Sequence, residues 1–554
     1  AIFSSVAVFA IWVFHISPQE QFYPTLGWAI TAIQPHSFIS ESVRKIRNIW
    51  NIKLYQKSIG KISSHQTPGL LTISQDQDVK IQFGQILAIK DKFISSGLAI
   101  ALHYVGRSEG LYFKALLIPN VEGLKFSKWK ALFNLPYYSA AQLPFDPEMD
   151  EAVSEVEELY QVKNLIGIVL PDSSIQKIYF EVIQELEIEV GQLVRVQVGD
   201  NKVLYQLING LTKEDIIAQK DKNGYAKGEA RVIGIWQRDN KFTGSKWIPR
   251  PNGLVYLEQS TESENSVDRI GHFPKSKYNI NINDINSLVT HNTAILGILG
   301  IGKSMLAIEL VDRIVNAGIK VICIDLTNQY QKELNRYIDE GASKKFFQKI
   351  KEVGEKGKTS VSKNVEEGGS KEDFKELTKD FLNHFILNQS KLFVINPFEF
   401  EVWRQDSKPY NNEASMVSLT PSEITSIISE ATLEILQTHG MSDKAKVCLI
   451  YEEAHSLVPE WNSVVNEGDK AATNATAWAI LQGRKYGMGC ILITQRTANV
   501  TKTILNQCNT IFAMRIFDDT GISFLSNYIG SEYSQVLPNL SPREAILFGK
   551  ASSC

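Results

Sequence analysis

The chain has 554 residues, 44% of them apolar, and a formal net charge of −3. That apolar content excludes a disordered protein and leaves room for roughly two to four domains. The near-neutral charge excludes a global basic field, so any nucleic-acid binding rests on a local patch or a channel.

Residues 1–60 are apolar, then basic. Ala1–Ile16 carries no Asp, Glu, Lys or Arg, a weaker apolar stretch runs from Phe22 to Ile39, and Arg44, Lys45, Arg47, Lys53, Lys57 and Lys61 follow. Two readings fit: a membrane anchor with its basic cytoplasmic flank, tethering a cytoplasmic protein to the inner membrane, and a buried helix of a soluble domain. The first run is slightly shorter than the ~18 apolar residues of a span. Residues 61–160 read as a mixed domain of unassigned role, with short strand-like runs such as Leu70–Gln75 and an acidic helix over Asp146–Glu158. Residues 164–259 hold short strands with closely spaced turns. Gly199-Asp200-Asn201 between two alternating runs predicts a hairpin, and the whole a small β-barrel. It offers no catalytic constellation. Ser263–Ile285 is a polar connection to the α/β part, residues 270–554.

That part opens on a phosphate-binding pattern. Ala294, Ile295 and Leu296 form a short apolar strand, and Gly297, Gly300 and Gly302 loosen the backbone before Lys303 and Ser304 start a helix that runs to about Asn316. The spacing is G-x-x-x-x-G-K-S. Backbone N–H groups from Gly297 through Ile301, Gly302, Lys303, Ser304 and Met305 can then surround the phosphates of ATP, because glycine lets the chain approach. Lys303 reaches the β- and γ-phosphates, the Ser304 hydroxyl ligates Mg²⁺, and the positive end of the helix faces the anion. A second strand, Lys320–Ile324, ends in Asp325.

A charged insertion follows at about 331–379. Its Gly, Ser, Lys and Glu content predicts an exposed, mobile loop with mixed charge. Regular structure resumes with a strand from Lys391 and a helix opened by Thr420-Pro421-Ser422-Glu423 and running to about Gln437. Lys446–His455 is an apolar strand that delivers Glu452 and Glu453 at its carboxyl end, about 150 residues after the phosphate loop. Ligands bind at that end of open α/β sheets. Glu452 suits the Mg²⁺ shell, and Glu453 can polarise the attacking water. Another strand ends in Thr494, Gln495 and Arg496, and Gln495 can sense the γ-phosphate. Arg484 before this strand and Arg515 after the next can each serve as an arginine finger across a subunit boundary; we take Arg484, for its place near the subunit edge. Five cysteines occur without Cys-x-x-Cys, and Cys323, Cys448, Cys490 and Cys508 sit in or beside apolar runs, as core thiols do in a reducing compartment.

The stretches HNTAILGILGIGKS, CLIYEEAH, LQGRKYGMGCILITQRTANV, LNQCNTIFAMRI and LSPREAILFGK, in this order, resemble the HerA family of ring ATPases, relatives of the FtsK DNA pumps. The preceding barrel is similar to the one HerA-like proteins carry before their motor, so the resemblance spans about Asn164 to Lys550. The loop departs from the usual Thr-Gly-Ser/Ala-Gly in reading Leu299-Gly300-Ile301-Gly302, and His291-Asn292 stands where many members have Arg-His. The resemblance implies an α/β fold with a RecA-like P-loop core, ATP with Mg²⁺ at subunit interfaces, and a hexameric homo-oligomer. It also implies translocation of double-stranded DNA through the pore, with a nuclease or defence effector as partner. A membrane-tethered conjugation or secretion ATPase and a regulatory ring without processive movement are the alternatives.

Overall fold

The computed structural model describes residues 58–552 apart from short gaps, the longest being 119–134, 143–160, 260–267, 361–369, 408–413 and 461–466. The apolar segments Ala1–Ile16 and Phe22–Ile39, with their basic flank, and the acidic helix expected over Asp146–Glu158 lie outside the described residues. Among the described residues no helix is long and apolar enough to cross a membrane.

Strands β1 (Ser58–Thr67), β2 (Leu70–Gln75), β3 (Ile86–Lys90), β4 (Gly97–Arg107), β5 (Gly110–Leu117) and β6 (Ser139–Gln142) close into an antiparallel barrel ordered β1-β2-β5-β4-β3-β6. What was expected as a mixed domain is thus β throughout its described elements. Leu71, Ile73, Leu87, Ile89 and Phe113 fill its interior. Because side chains alternate across a strand, other positions reach outward. Leu70 and Leu102 do so into a seam with Leu165, Ile168, Ile183 and Tyr256 of the next unit. Glu181 crosses the same seam, accepting hydrogen bonds from His103 (3.0 Å) and Lys114 (2.7 Å).

The next unit is a second barrel, built from β7 (Leu165–Val169), β8 (Lys177–Val182), β9 (Leu193–Val198), β10 (Asn201–Ala218), β11 (Asp221–Trp236), β12 (Phe242–Thr243) and β13 (Leu254–Leu257). The order β10-β9-β13-β7-β8-β11 returns to β10, closing six strands, and β12 lies outside on β11. Gly199-Asp200 turns the chain so that Val198 faces Asn201. β10 pairs with β9 only as far as Gln206 but with β11 as far as Ala218, so the hairpin continues beyond the barrel as a two-stranded ribbon.

After the hairpin β14 (Arg269–His272) and β15 (Asn279–Asn281), the chain builds a doubly wound α/β unit. Its strands are β16 (Thr293–Leu296), β17 (Lys320–Ile324), β18 (Leu392–Ile395), β21 (Val447–Tyr451), β22 (Met488–Thr494), β23 (Thr510–Ala513) and β24 (Ile546–Gly549); a small hairpin, β19 (Trp403–Ser407) and β20 (Ala414–Ser418), intervenes. The sheet is ordered β18-β17-β21-β22-β16-β23-β24, parallel except for β24. Alternating strand residues feed two apolar cores, as burial on both faces of a parallel sheet requires. Ala294, Leu296, Ile322 and Ile324 face one side, Ile295, Val321 and Cys323 the other. On that second side α1 (Lys303–Asn316) lays down Ala307, Leu310, Val311 and Ile314. Cys323, Cys448, Cys490 and Cys508 are all buried thiols.

The insertion at about 331–379 departs from expectation. In place of a mobile loop its described part is helical, with α2 (Glu340–Ser360) and, past the gap, α3 (Lys371–Leu387). Phe346, Ile350, Phe374, Leu382 and Phe385 are buried in the first core, where Phe346 stacks on Phe381 at 4.2 Å. One apolar face among many charges is enough to dock a helix. Beside them α4 (Pro421–Thr438) begins with a capping box: the Thr420 hydroxyl accepts from Glu423 N–H, and the Glu423 carboxylate accepts from Thr420 N–H at 2.9 Å.

Candidate nucleotide site

The site forms where β16, β22 and β21 end side by side. Leu296 is in register with Thr494, and Tyr451 with Leu492, so the glycine loop and the carboxylates arrive at one edge with β22 between them. Gly297 N–H donates to Thr494 O (3.3 Å) and Ile298 N–H to Arg515 O (3.0 Å), anchoring the loop to both neighbouring strands. Gly300 (φ +76°) and Gly302 (φ +112°) hold the left-handed backbone that favours glycine. Helix α1 begins at Lys303 with no side-chain cap, and its first backbone bond is Leu306 N–H to Gly302 O (3.2 Å). The N–H groups of Lys303, Ser304 and Met305 therefore face the loop rather than the helix.

Lys303 is buried, and its Nζ donates to Ile298 O (2.8 Å) across the loop. Burial pulls its pKa below the ordinary lysine value, opposed by the charges of Glu453 and Glu452. Ser304 is half-buried beside it, Ile301 is buried, and Leu299 and Met305 are exposed. This cradle of free N–H groups around a lysine fits a polyphosphate.

Glu452 and Glu453 part company at once. Glu452 is buried; its N–H donates to Ile324 O (3.1 Å), and its Oε2 accepts from the hydroxyl of the fully buried Tyr330 (2.7 Å). Tyr330 N–H in turn donates to Asp325 Oδ2 (3.1 Å). Burial pushes Glu452 up to about 7, the Tyr330 hydroxyl works against this, and the charges of Asp325 and Glu453 add to it. Glu453 has φ +53°, which swings it away from its neighbour. Its Oε1 accepts from Gln495 Nε2 (3.3 Å). Oε2 is buried without a hydrogen-bond partner, although His455 Nδ1 lies 3.3 Å away. Burial lowers the His455 pKa, opposed by the charge of Glu453.

Among the described residues no group of three or more His, Cys, Asp or Glu side chains could hold a metal. A hard cation that brings phosphate oxygens with it needs only one or two protein oxygens, and the Ser304 hydroxyl and Glu452 have the chemistry of such a set.

The arginines divide. Arg484 is exposed at the opposite, amino-terminal edge of the sheet, its Nη2 2.7 Å from His291 Nε2. The full length of β22 separates it from the phosphate loop of its own subunit. Arg515 does border the loop, with its carbonyl on Ile298 and its Nε on Leu540 O. Two neighbours were not legible as site residues. Tyr330 lies in the helical turn Gln329–Glu333, where nothing local points to Glu452. Arg543, inside LSPREAILFGK, donates its N–H to Ile301 O (2.9 Å).

The family described as helicase HerA, central domain, matches residues 268–432. Over the stretch that carries the phosphate loop the chain is similar to HerA-type helicases. A Methanocaldococcus jannaschii protein named a probable helicase is 21% identical over 461 residues, covering 70% of this chain and 88% of that one. The DNA double-strand break repair helicase HerA of Saccharolobus solfataricus is 24% identical over 341 residues, covering 53% and 68%. A shorter stretch of 129 residues is 31% identical to the probable HerA of Methanocaldococcus jannaschii, 24% of that protein. The matched residues include the glycine loop just described, at the carboxyl edge of the sheet.

Proposed function

We propose that the chain is an ATP-hydrolysing ring motor, most naturally of six subunits, that moves double-stranded DNA and serves a partner nuclease or defence effector. The HerA relatives bear the name of DNA repair helicases. The observation that carries the hydrolytic reading is Glu453. Its Oε2 is buried and accepts no hydrogen bond, with His455 Nδ1 3.3 Å away, while Oε1 is tied to Gln495. A buried carboxylate oxygen without a donor is costly, and a water in line with the γ-phosphate would satisfy it.

In this reading Lys303 exchanges the Ile298 carbonyl for the β- and γ-phosphates, and the N–H groups at the head of α1 take the remaining oxygens. Ser304 and Glu452 would hold Mg²⁺, which would supply positive charge to offset that of the phosphates. Glu453 accepts the proton of the attacking water, and Gln495 orients Glu453 while reading the γ-phosphate. Arg484, at the far edge of its own sheet, serves the neighbouring subunit. The test is the ATPase rate of the purified chain with and without double-stranded DNA. Stimulation by DNA is expected; a rate indifferent to DNA would favour a regulatory ring instead.

A further inference from the structure

The segment Ser541-Pro542-Arg543-Glu544 is a tight turn laid over the phosphate loop. Glu544 N–H donates to Ser541 O (3.0 Å), and the Glu544 carboxylate accepts from Ser541 N–H (2.7 Å). Pro542 takes the second position, which its ring suits, and Arg543 the third, with φ +68°. A positive φ at that position is glycine's territory, and any other side chain there is strained. The chain nevertheless places its longest cationic side chain at this point.

Two contacts fix where that side chain starts. Arg543 N–H donates to Ile301 O (2.9 Å), and Arg543 Cγ lies 3.4 Å from the position a Cβ on Gly302 would occupy. The stem therefore rests on the loop between Ile301 and Lys303. Arg543 is exposed, and among the described residues no carboxylate pairs with it. A strained residue with an unpaired, permanently charged planar group, seated on a phosphate-binding loop, is arranged for an anion.

We propose that Arg543 is a phosphate-contacting residue of its own subunit's nucleotide site, closing on the polyphosphate of ATP opposite Lys303 and separating tri- and diphosphates from a monophosphate. This rests on the assignment of the loop as the nucleotide site. It adds a cationic group in the same subunit to whatever arginine a neighbour supplies.

The test is equilibrium binding of a non-hydrolysable ATP analogue, ADP and AMP to the full chain, with nucleotide-free melting temperatures alongside. The variants are Arg543→Ala, Arg543→Lys and Arg543→Gly. Arg543→Ala should weaken the ATP analogue about tenfold, as loss of one charge-assisted contact does, with AMP unchanged. Arg543→Lys should recover part of the loss. Arg543→Gly should raise the nucleotide-free melting temperature, because it relieves the turn, and still lose ATP affinity like Arg543→Ala. A merely structural residue cannot give that opposed pair. Wild-type ATP affinity in both Arg543→Ala and Arg543→Gly would overturn the proposal, as would an equal loss for ATP and AMP. Lys303→Ala is the control: if it too binds ATP normally, the site assignment has failed rather than the role of Arg543.

Discussion

Glu452 and Glu453 are consecutive, yet one left-handed residue gives them different chemistry. Glu453, bonded to Gln495, is the residue whose amide should retain nucleotide and lose turnover. Glu453→Gln is expected to bind ATP within a few-fold of wild type while hydrolysis falls by about 10² to 10⁴, measured by analogue binding and phosphate release. If Glu452→Gln were instead the variant that binds and does not hydrolyse, the two roles would be exchanged. Glu452 also makes a pH-dependent contribution to stability. Its pKa is raised from 4.5 to about 7 on folding, chiefly by burial. The folded chain therefore holds this proton more tightly than the unfolded chain does. The associated stability is complete below about pH 4.5 and lost as pH rises through 7. Glu452→Gln, which cannot ionise, should gain on wild type across that window by up to about 1.4 kcal/mol per pH unit. Urea unfolding at pH 5 and pH 7.5 without nucleotide reads the difference, and an advantage that does not grow with pH would remove the explanation.

At the scale of elements, the insertion helices show where packing overrides composition. Phe374 is fully buried, its ring 5.7 Å from that of Phe400. Phe374→Ala should cost about 3–5 kcal/mol in urea unfolding. Lys344→Ala, which breaks only the exposed pair with Glu340, should cost under about 0.5 kcal/mol. Equal, small effects would restore a loosely attached segment. The glycine loop, the strand before it and the capping box at Thr420 were legible because each is a local pattern whose physics is complete within a few residues. Phe346 and Ile350, like Phe374, Thr378 and Phe385, did keep a helical spacing, but surrounding charges and glycines hid it. Tyr330 and Arg543 were illegible for another reason. Their partners, Glu452 and Ile301, lie more than a hundred residues away along the chain, and only tertiary folding brings them together.

For the whole molecule, the separation of Arg484 from its own phosphate loop bears on assembly. Mixed rings of Arg484→Ala and Lys303→Ala subunits should recover part of the activity that each variant lacks alone, because some interfaces pair an intact loop with an intact arginine. No recovery in verified mixed rings would count against a role across the boundary. The barrels bear on the same question, since the second is pinned to the α/β unit: Arg231 pairs with Glu532 (2.9 Å), and the Tyr533 hydroxyl donates to Gln206 (3.2 Å). That contact sits a few residues upstream of the turn that carries Arg543.

The strand order has a consequence for how this chain is made. β16, which leads into the phosphate loop, pairs on one side with β22 and on the other with β23, both about 200 residues later in the sequence. On the ribosome the loop therefore emerges long before either wall of its cleft exists. A parallel sheet assembled from such distant partners closes late and slowly. While about 200 further residues are made, the glycine loop hangs from an unpaired strand edge, exposed to aggregation. On the proposed function, ATP cannot assist folding of the nascent α/β unit until β23 has cleared the exit tunnel. A stalled chain released at Thr438, at the end of α4, holds every residue of the G-x-x-x-x-G-K-S pattern, yet it should neither bind nucleotide nor resist protease. Protection of that fragment by ATP would show that the early half folds alone.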